Sequence, residues 1–268
     1  MTKITAITSV YNAEKYLSGF LINAKKQRKV NFEIQMELNI PSENEFKIAK
    51  NFADENNFLK LSVSNVLNPM SKSWNNCINK ANGDYICIWN VDDQRTSHSL
   101  KVMSRKLDKS KKIEVVFGDY YRVNSFGSKN GKLVDNSLNL VELNKGMIIG
   151  PFFMFRKSLV NTFGLFDEQL KTGADYDFAM RILDRNNITY IHKNLGYFLD
   201  EKKGSSTKPD TLQPLERTVI ELRYNIKVTD TNLIEKAKKM YDIENLYYSG
   251  TKVPVKNLFN YKNSSITI

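Results

Sequence analysis

Within the first 120 residues an apolar, β-branched run is followed four times by a stretch whose apolar residues recur at helical spacing, and this alternation restricts the fold more than any other feature. Ile4 to Val10 is the first run. After it Tyr16, Leu17, Phe20, Leu21 and Ala24 share one face of a helix that Asn12 is placed to cap. The segment FEIQMEL (32–38) alternates strictly, with Phe32, Ile34, Met36 and Leu38 on one side. Ser42 and Glu45 form a capping box that opens a second helix, with Phe46, Ala49, Phe52 and Ala53 facing inward. LKLSVSNV is a third strand. Trp74, Cys77, Ile78 and Ala81 then space out a third helix that Gly83 ends, and YICIW follows. Such alternation predicts an α/β fold with a mostly parallel sheet covered by helices on both faces.

From 113 to 154 the strands shorten, and IEVVFGDYYRV and KLV flank SFGSKNG as a hairpin loop. A helix from near Arg156 stops at Gly164, another covers Asp175 to Leu183, and ITYIH (188–192) is the last strand. Pro209 and Pro214 punctuate a linker, which places one domain at 1–208 and a helical appendage at 209–268.

Composition narrows the function. With 268 residues and 41% hydrophobic content the chain can bury a full core. The net charge of +11 suits anionic surroundings, but the excess is scattered. Its densest run, Arg105-Lys106 with Lys109, Lys111 and Lys112, is read as a solvated helix face, so no nucleic-acid partner is expected. Two cysteines, Cys77 and Cys87, sit in apolar contexts and make no disulfide framework or zinc spacing, as in a reducing cytoplasm. The first residues lack the apolar core of a signal peptide, and no run of 18 apolar residues occurs. The expectation is a soluble, cytoplasmic protein.

In open α/β sheets ligands sit beyond the carboxyl ends of the strands. Three polar clusters fall there: Thr8 to Asn12, Glu37 to Asn39, and Asn90 to Asp93. Asp92 and Asp93 close the apolar run Ile86-Cys87-Ile88-Trp89, where two neighbouring acids repel unless exposed, hydrogen-bonded or neutralised. A pair of that kind suits a hard divalent cation such as Mg²⁺ or Mn²⁺, which leaves positions free for phosphate. Neither G-x-x-x-x-G-K-[ST] nor G-x-G-x-x-G is present, which removes support for P-loop and dinucleotide readings.

TSVYNAEKYL resembles the opening of family 2 glycosyltransferases, and ANGDYICIWNVDD resembles the strand that runs into their Asp-x-Asp-like motif. GPFFMFRKSLVNTFGLFDEQL followed by GADYDFAMRIL is similar to the family's acceptor-side segment and base-bearing helix. The resemblance covers residues 4 to 205, with the motifs in family order. It implies the GT-A fold and an inverting transfer from a metal-bound nucleoside-diphosphate sugar, UDP-sugar favoured. The acceptor is a hydroxyl of a saccharide or lipid-linked saccharide, and the setting bacterial surface polysaccharide synthesis. It assigns donor-nucleotide contacts to Ser9, Tyr11, Asn39 and Asp92, the divalent metal (Mn²⁺ or Mg²⁺) to Asp93, and the general base to Asp175, with Asp177 second. Asp175, at a helix start, is expected to be kept ionised by the helix N-terminus, with burial by a bound acceptor pushing the other way.

The chain departs from the family pattern at Asn39, where an Asp is usual, at Trp74, where an Arg usually precedes Asn75, and at Ala174, which leaves Asp175 alone of an acidic pair. The family's usual His after LGYFL is absent, with Asp200 and Glu201 nearby; His98 and His192 match no role. Two other readings use the same features: a sugar nucleotidyltransferase, and a catalytically degenerate nucleotide-sugar-binding protein. The tail, with Tyr241, Tyr247, Tyr248, Phe259 and Tyr261 among lysines, suits attachment to a membrane surface or a partner as well as packing on its own domain.

Overall fold

The computed structural model describes residues 3–136, 147, 149–183, 187–201 and 212–258. In chain order, β1 (Ile4–Val10), α1 (Glu14–Lys25), β2 (Phe32–Asn39), α2 (Glu43–Glu55), β3 (Leu59–Ser64), α3 (Met70–Lys80) and β4 (Tyr85–Ile88) realise the predicted alternation. After them come β5 (Gln94–Arg95), α4 (Ser99–Asp108), β6 (Val115–Val123), β7 (Lys132–Val134), β8 (Phe153–Arg156), α5 (Leu159–Phe163), α6 (Ala174–Ile182) and β9 (Ile188–Leu199). The C-terminal part holds α7 (Gln213–Arg223), α8 (Thr231–Met240), β10 (Asn245–Tyr248), β11 (Thr251–Pro254) and α9 (Val255–Leu258). One sheet carries the order β3-β2-β1-β4-β8-β6-β9-β5, with β7 on β6. Its first four strands are parallel, as is β6 on β9, while β8 and β5 pair antiparallel.

Side-chain alternation splits the core into two layers. Ile4, Ala6, Tyr85, Cys87, Trp89 and Met154 face the layer that holds α1, α2 and α4. Ile7, Ile86, Ile88, Phe153 and Phe155 face the layer of α3, α6 and α7. β2 follows its pattern on one face only. Ile34, Met36 and Leu38 pack into the first layer, whereas Glu33, Gln35 and Glu37 are buried on the other face with hydrogen-bond partners. Glu33 accepts from Lys3 Nζ at 2.6 Å, Thr5 Oγ1 at 2.8 Å and the Asn82 N–H at 2.7 Å. Burial opposes its ionisation, but the Lys3 hydrogen bond, the Asn82 N–H and the Thr5 hydroxyl outweigh it and bring the carboxyl down to about 2. A depressed acid adds stability that is complete above its unfolded value and is lost as pH falls through the folded one. Acid unfolding monitored by circular dichroism should therefore steepen between about pH 4.3 and 2, and Glu33→Gln should flatten that segment. An unchanged profile in the variant refutes the assignment.

Several expectations are corrected. Asn12 does not cap α1: it takes a left-handed conformation (φ 49°), and the capping position falls to Ala13, whose side chain offers no acceptor. The carboxylate of Glu45 takes over, accepting from the Ala13 N–H at 2.6 Å and from the Ser42 N–H at 3.0 Å, so the capping box of α2 serves two helices. Phe46, expected to face inward, is 43% exposed, whereas its neighbour Glu45 is buried. α3 ends at Lys80 before Gly83. Gly83 is required instead by close approach, since a Cβ there would lie 2.5 Å from the Thr5 nitrogen. The last strand of the sheet runs to Leu199, not to 192.

The C-terminal part is not helical throughout, because β10 and β11 form a hairpin. Leu215, Val219 and Ile220 of α7 belong to the second core layer. Tyr241 donates to Glu216 Oε1 at 3.1 Å, and Tyr247 to Asp242 Oδ2 at 2.8 Å. Tyr248 lies against Gly164, where a side chain would strike its hydroxyl. Phe259, Tyr261, Pro209 and the 208/209 boundary lie outside the described residues. Among the described residues no helix is long and apolar enough to cross a membrane.

Candidate active site

The strand order reverses direction at β1, whose chain continues to β2 on one side and pairs β4 on the other, so a crevice opens at the carboxyl ends of β1 and β4. Thr8 Oγ1 closes its floor by donating to the Trp89 carbonyl at 2.9 Å. Ser9 is half-buried beside Asn39, whose Nδ2 donates to Ser9 Oγ at 3.2 Å and to Ser73 Oγ at 2.9 Å. Asn39 Oδ1 accepts from the Asn68 N–H at 3.3 Å. The amide is 1% exposed with both donors engaged, which leaves one lone pair on Oδ1. Tyr11, 55% exposed, stands at the rim, where the left-handed turn at Asn12 sends the chain into α1.

Asp92 and Asp93 follow β4 in a turn closed by the Asp93 N–H to the Asn90 carbonyl, 3.1 Å. Trp89 Nε1 donates to the Asp93 carbonyl at 3.1 Å. Asp93 is 3% exposed; its carboxylate receives Asn90 Nδ2 and the Leu199 N–H, each at 3.4 Å. Burial, then the adjacent Asp92, holds the Asp93 carboxyl well above the usual range. Half-buried Asp92 is raised by burial and by Glu201, against its own backbone N–H and Lys15. Two hard carboxylates disfavoured as a bare pair are what a divalent cation relieves. Among the described residues no three His, Cys, Asp or Glu side chains are grouped to hold a metal unaided. The donor set therefore fits an ion whose remaining positions are filled by phosphate and water.

Asp175 lies in the first turn of α6, and the segment before that helix is tied to α3, which also bonds Asn39 through Ser73. Ser71 Oγ donates to the Leu170 carbonyl at 2.9 Å. Asn75 exchanges hydrogen bonds of 2.9 Å with the backbone of Phe166, and the ring of Trp74 lies 5.1 Å from that of Phe166. These contacts fix the segment leading into α6. Trp74, at the position of the expected Arg, is thus a core residue whose Nε1 has no partner among the described residues. The Asp175 carboxylate accepts from the Tyr176 N–H at 2.8 Å. Burial raises it to about 6, the N–H groups of Tyr176 and Asp175 oppose this, and Glu216 adds to it. Of the two opposing effects expected from sequence, burial prevails over the helix N-terminus even without an acceptor, because desolvation outweighs two backbone hydrogen bonds. Asp177 is elsewhere: wholly buried, it binds Arg181 Nε at 3.1 Å and Arg223 Nη1 at 3.0 Å.

The model of the Glycosyl transferase family 2 matches residues 5–164, more than half of the chain. The chain belongs to this family. TarS of Staphylococcus aureus, a poly(ribitol-phosphate) beta-N-acetylglucosaminyltransferase, is 22% identical over 220 residues, covering 80% of this chain and 38% of TarS. This chain spans under half the length of the curated relatives it matches. Residues 1–349 of TarS in complex with UDP-GlcNAc superpose with a TM-score of 0.67 at 20% identity, over 90% of this chain and 72% of that one. The mannosyltransferase PcManGT of Pyrobaculum calidifontis, in complex with GDP-Man and Mn²⁺, gives 0.62 at 12% identity, over 89% and 68%. These likenesses establish the GT-A fold.

The family 2 resemblance did not disclose every residue at the crevice. Leu199 reaches Asp93 because β9 continues past 192 to pair with β5. Glu201 accepts from Lys15 Nζ at 2.9 Å and Tyr16 OH at 3.0 Å beside Asp92. Arg95, 2% exposed, lies behind Asp93 and donates to the Ile88 carbonyl at 2.8 Å. His192 stacks edge-on against Tyr190, and His98 meets Ser97 on the surface.

Proposed function

We propose that this chain is an inverting, metal-dependent glycosyltransferase that moves a sugar from a nucleoside-diphosphate sugar, UDP-sugar favoured, to the hydroxyl of a saccharide or lipid-linked saccharide in bacterial surface polysaccharide synthesis. The observation that carries this reading is that β2, β1 and β4 are neighbours, so the segments bearing Ser9, Asn39, Asp92 and Asp93 leave adjoining strand ends; α3, bonded to Asn39, also holds the segment before Asp175. TarS, whose structure is described with UDP-GlcNAc, favours a uridine nucleotide. PcManGT, described with GDP-Man and Mn²⁺, favours a cation at the acid pair.

In this reading Tyr11 stacks on the base, Ser9 and Asn39 line its edge, and Asp92 and Asp93 hold the cation. When bound, the ion supplies positive charge that stabilises the departing diphosphate. Asp175 accepts the proton of the acceptor hydroxyl as that oxygen bonds to the anomeric carbon; the carbon–oxygen bond to the diphosphate breaks on the opposite side, which inverts the centre.

Calorimetric titration of UDP with Mn²⁺, and again with EDTA, tests the crevice. Binding should weaken about tenfold or more without the ion, and Asp93→Ala should erase that difference while leaving the circular dichroism spectrum native. Equal affinity in Mn²⁺ and EDTA would overturn the metal assignment. A preference for GDP over UDP would replace the donor while leaving the reaction class in place.

A further inference from the structure

We infer that Glu216, on the C-terminal helix α7, is a positioning residue for Asp175: its buried carboxylate clasps the turn that opens α6 and so fixes where the proposed base stands. This rests on Asp175 acting as the base, and it assigns to the C-terminal part a role in the reaction that the sequence did not suggest. Glu216 is wholly buried and faces five donors. Its Oε1 accepts from the Lys171 N–H at 2.8 Å and the Tyr241 hydroxyl at 3.1 Å. Its Oε2 accepts from the Thr172 N–H at 2.7 Å, the Thr172 hydroxyl at 2.8 Å and the Gly173 N–H at 2.8 Å.

A helix start leaves backbone N–H groups without intrahelical partners, and a neighbouring side chain normally caps them. Gly173, the capping residue of α6, has no side chain to offer. A Cβ there would press on Ile220 Cδ1 at 3.0 Å, a tight contact. The three N–H groups that Glu216 holds, those of Lys171, Thr172 and Gly173, belong to the turn that ends at this capping residue, which is thereby anchored from α7. Asp175 lies two residues beyond the clasped Gly173, so any slack in that turn moves the base. Seven residues on, about 10 Å along α7, Arg223 grips Asp177 of the same helix. α7 thus splints α6 at two points on either side of Asp175.

The clasp also carries charge. Glu216 is the acidic neighbour that acts to raise Asp175. Other charges around α6 are paired off: Arg181, Arg223, Asp167 and Asp177 form one buried cluster, and Arg217 of α7 binds Glu221 at 2.7 Å. A negative neighbour makes Asp175 harder to ionise and hence a stronger base at neutral pH, the range in which proton transfer is most effective.

Carboxyl-carbon NMR of Asp175, with amide hydrogen exchange, on the full chain carrying Glu216→Gln reads both effects. The amides of Lys171, Thr172 and Gly173 should exchange about tenfold faster or more, with those of β1 and β4 unchanged. The Asp175 midpoint should fall by about half a pH unit. Glu216→Asp, which keeps the charge and withdraws it by one methylene, should stay nearer the native midpoint. A uniform loosening of all amides with an unmoved midpoint would mean a merely structural carboxylate and would overturn the inference. Should the Gln variant not fold, the native protein decides: the 171–173 amides must be as slow as those of α7, and exchange at open-loop rates refutes the clasp. Transfer that survives Asp175→Asn would remove the base reading alone, because exchange and titration judge the clasp without it.

Discussion

Asp175→Asn is expected to lower sugar transfer by about 10²–10⁴-fold while UDP affinity in Mn²⁺ stays native. The amide keeps the shape of the carboxyl and its hydrogen bond from the Tyr176 N–H, so the turn before α6 persists. What disappears is the ability to take a proton from the acceptor hydroxyl. The pH profile offers an independent check. Burial places the Asp175 carboxyl at about 6, and a base must be ionised to act. Transfer at saturating donor should therefore be level above that value and fall by about tenfold per unit below it. The residual activity of the Asn variant should lack this limb. Asp177→Asn is the control: its carboxylate is enclosed between Arg181 and Arg223, so the change should lower stability and leave the limb in place. Near-native transfer by Asp175→Asn would dismiss it as the base, and Asp177 could not replace it without leaving its two arginines.

The parts legible in the sequence were those whose physics is local. The capping box at Ser42 and Glu45, the stripes of α1 and α3, and the apolar run ending in Asp92 and Asp93 each involve residues a few positions apart, where period and composition act directly. What escaped depends on partners distant in the chain. Glu45 caps α1 from 32 residues away, and no local pattern marks that second duty. The segment HKNLGYFL mixes polar and apolar residues, so its sequence marks a strand only to 192, although pairing with β6 and β5 carries β9 to Leu199. The balance at Asp175 is of the same kind: a helix start is visible in sequence, whereas the burial that raises the carboxyl exists only in the folded chain. The C-terminal part looked accessory because its buried acids and arginines follow no period, and only the folded chain brings them together.

Arg223→Met is expected to destabilise the fold by about 3–5 kcal/mol, the range for removing one partner from a buried ion pair. At about 2–4 °C per kcal/mol for a large domain, the thermal midpoint should fall by roughly 6–20 °C. The guanidinium has no exposed side-chain surface and holds three parts of the chain together. Nη2 binds Asp167 Oδ2 at 2.7 Å, ahead of α6, and Nη1 binds Asp177 Oδ1 at 3.0 Å, within it. Nε donates to the Ile243 carbonyl at 3.1 Å, and Nη2 to those of Asp242 and Asn245 at 2.9 and 3.1 Å, which seats the β10–β11 hairpin. Methionine fills similar volume, so the loss reports charge and hydrogen bonding more than a cavity. It leaves Asp167 and Asp177 facing each other with Arg181 alone, and Arg181 reaches Asp177, not Asp167. Asp167 would then be the uncompensated charge. Asp167→Asn added to Arg223→Met should accordingly recover part of the loss, a coupling that independent sites would not show. Arg223→Lys should fall between native and Met, since an ammonium keeps the charge but cannot fork to two carboxylates and three carbonyls. Chemical denaturation of five proteins, native, the two Arg223 variants, Asp167→Asn and the double variant, measures all three relations. A Met variant within about 0.5 kcal/mol of native, the ordinary range for surface changes, would mean that α7 is held by its apolar face alone, through Leu215, Val219 and Ile220.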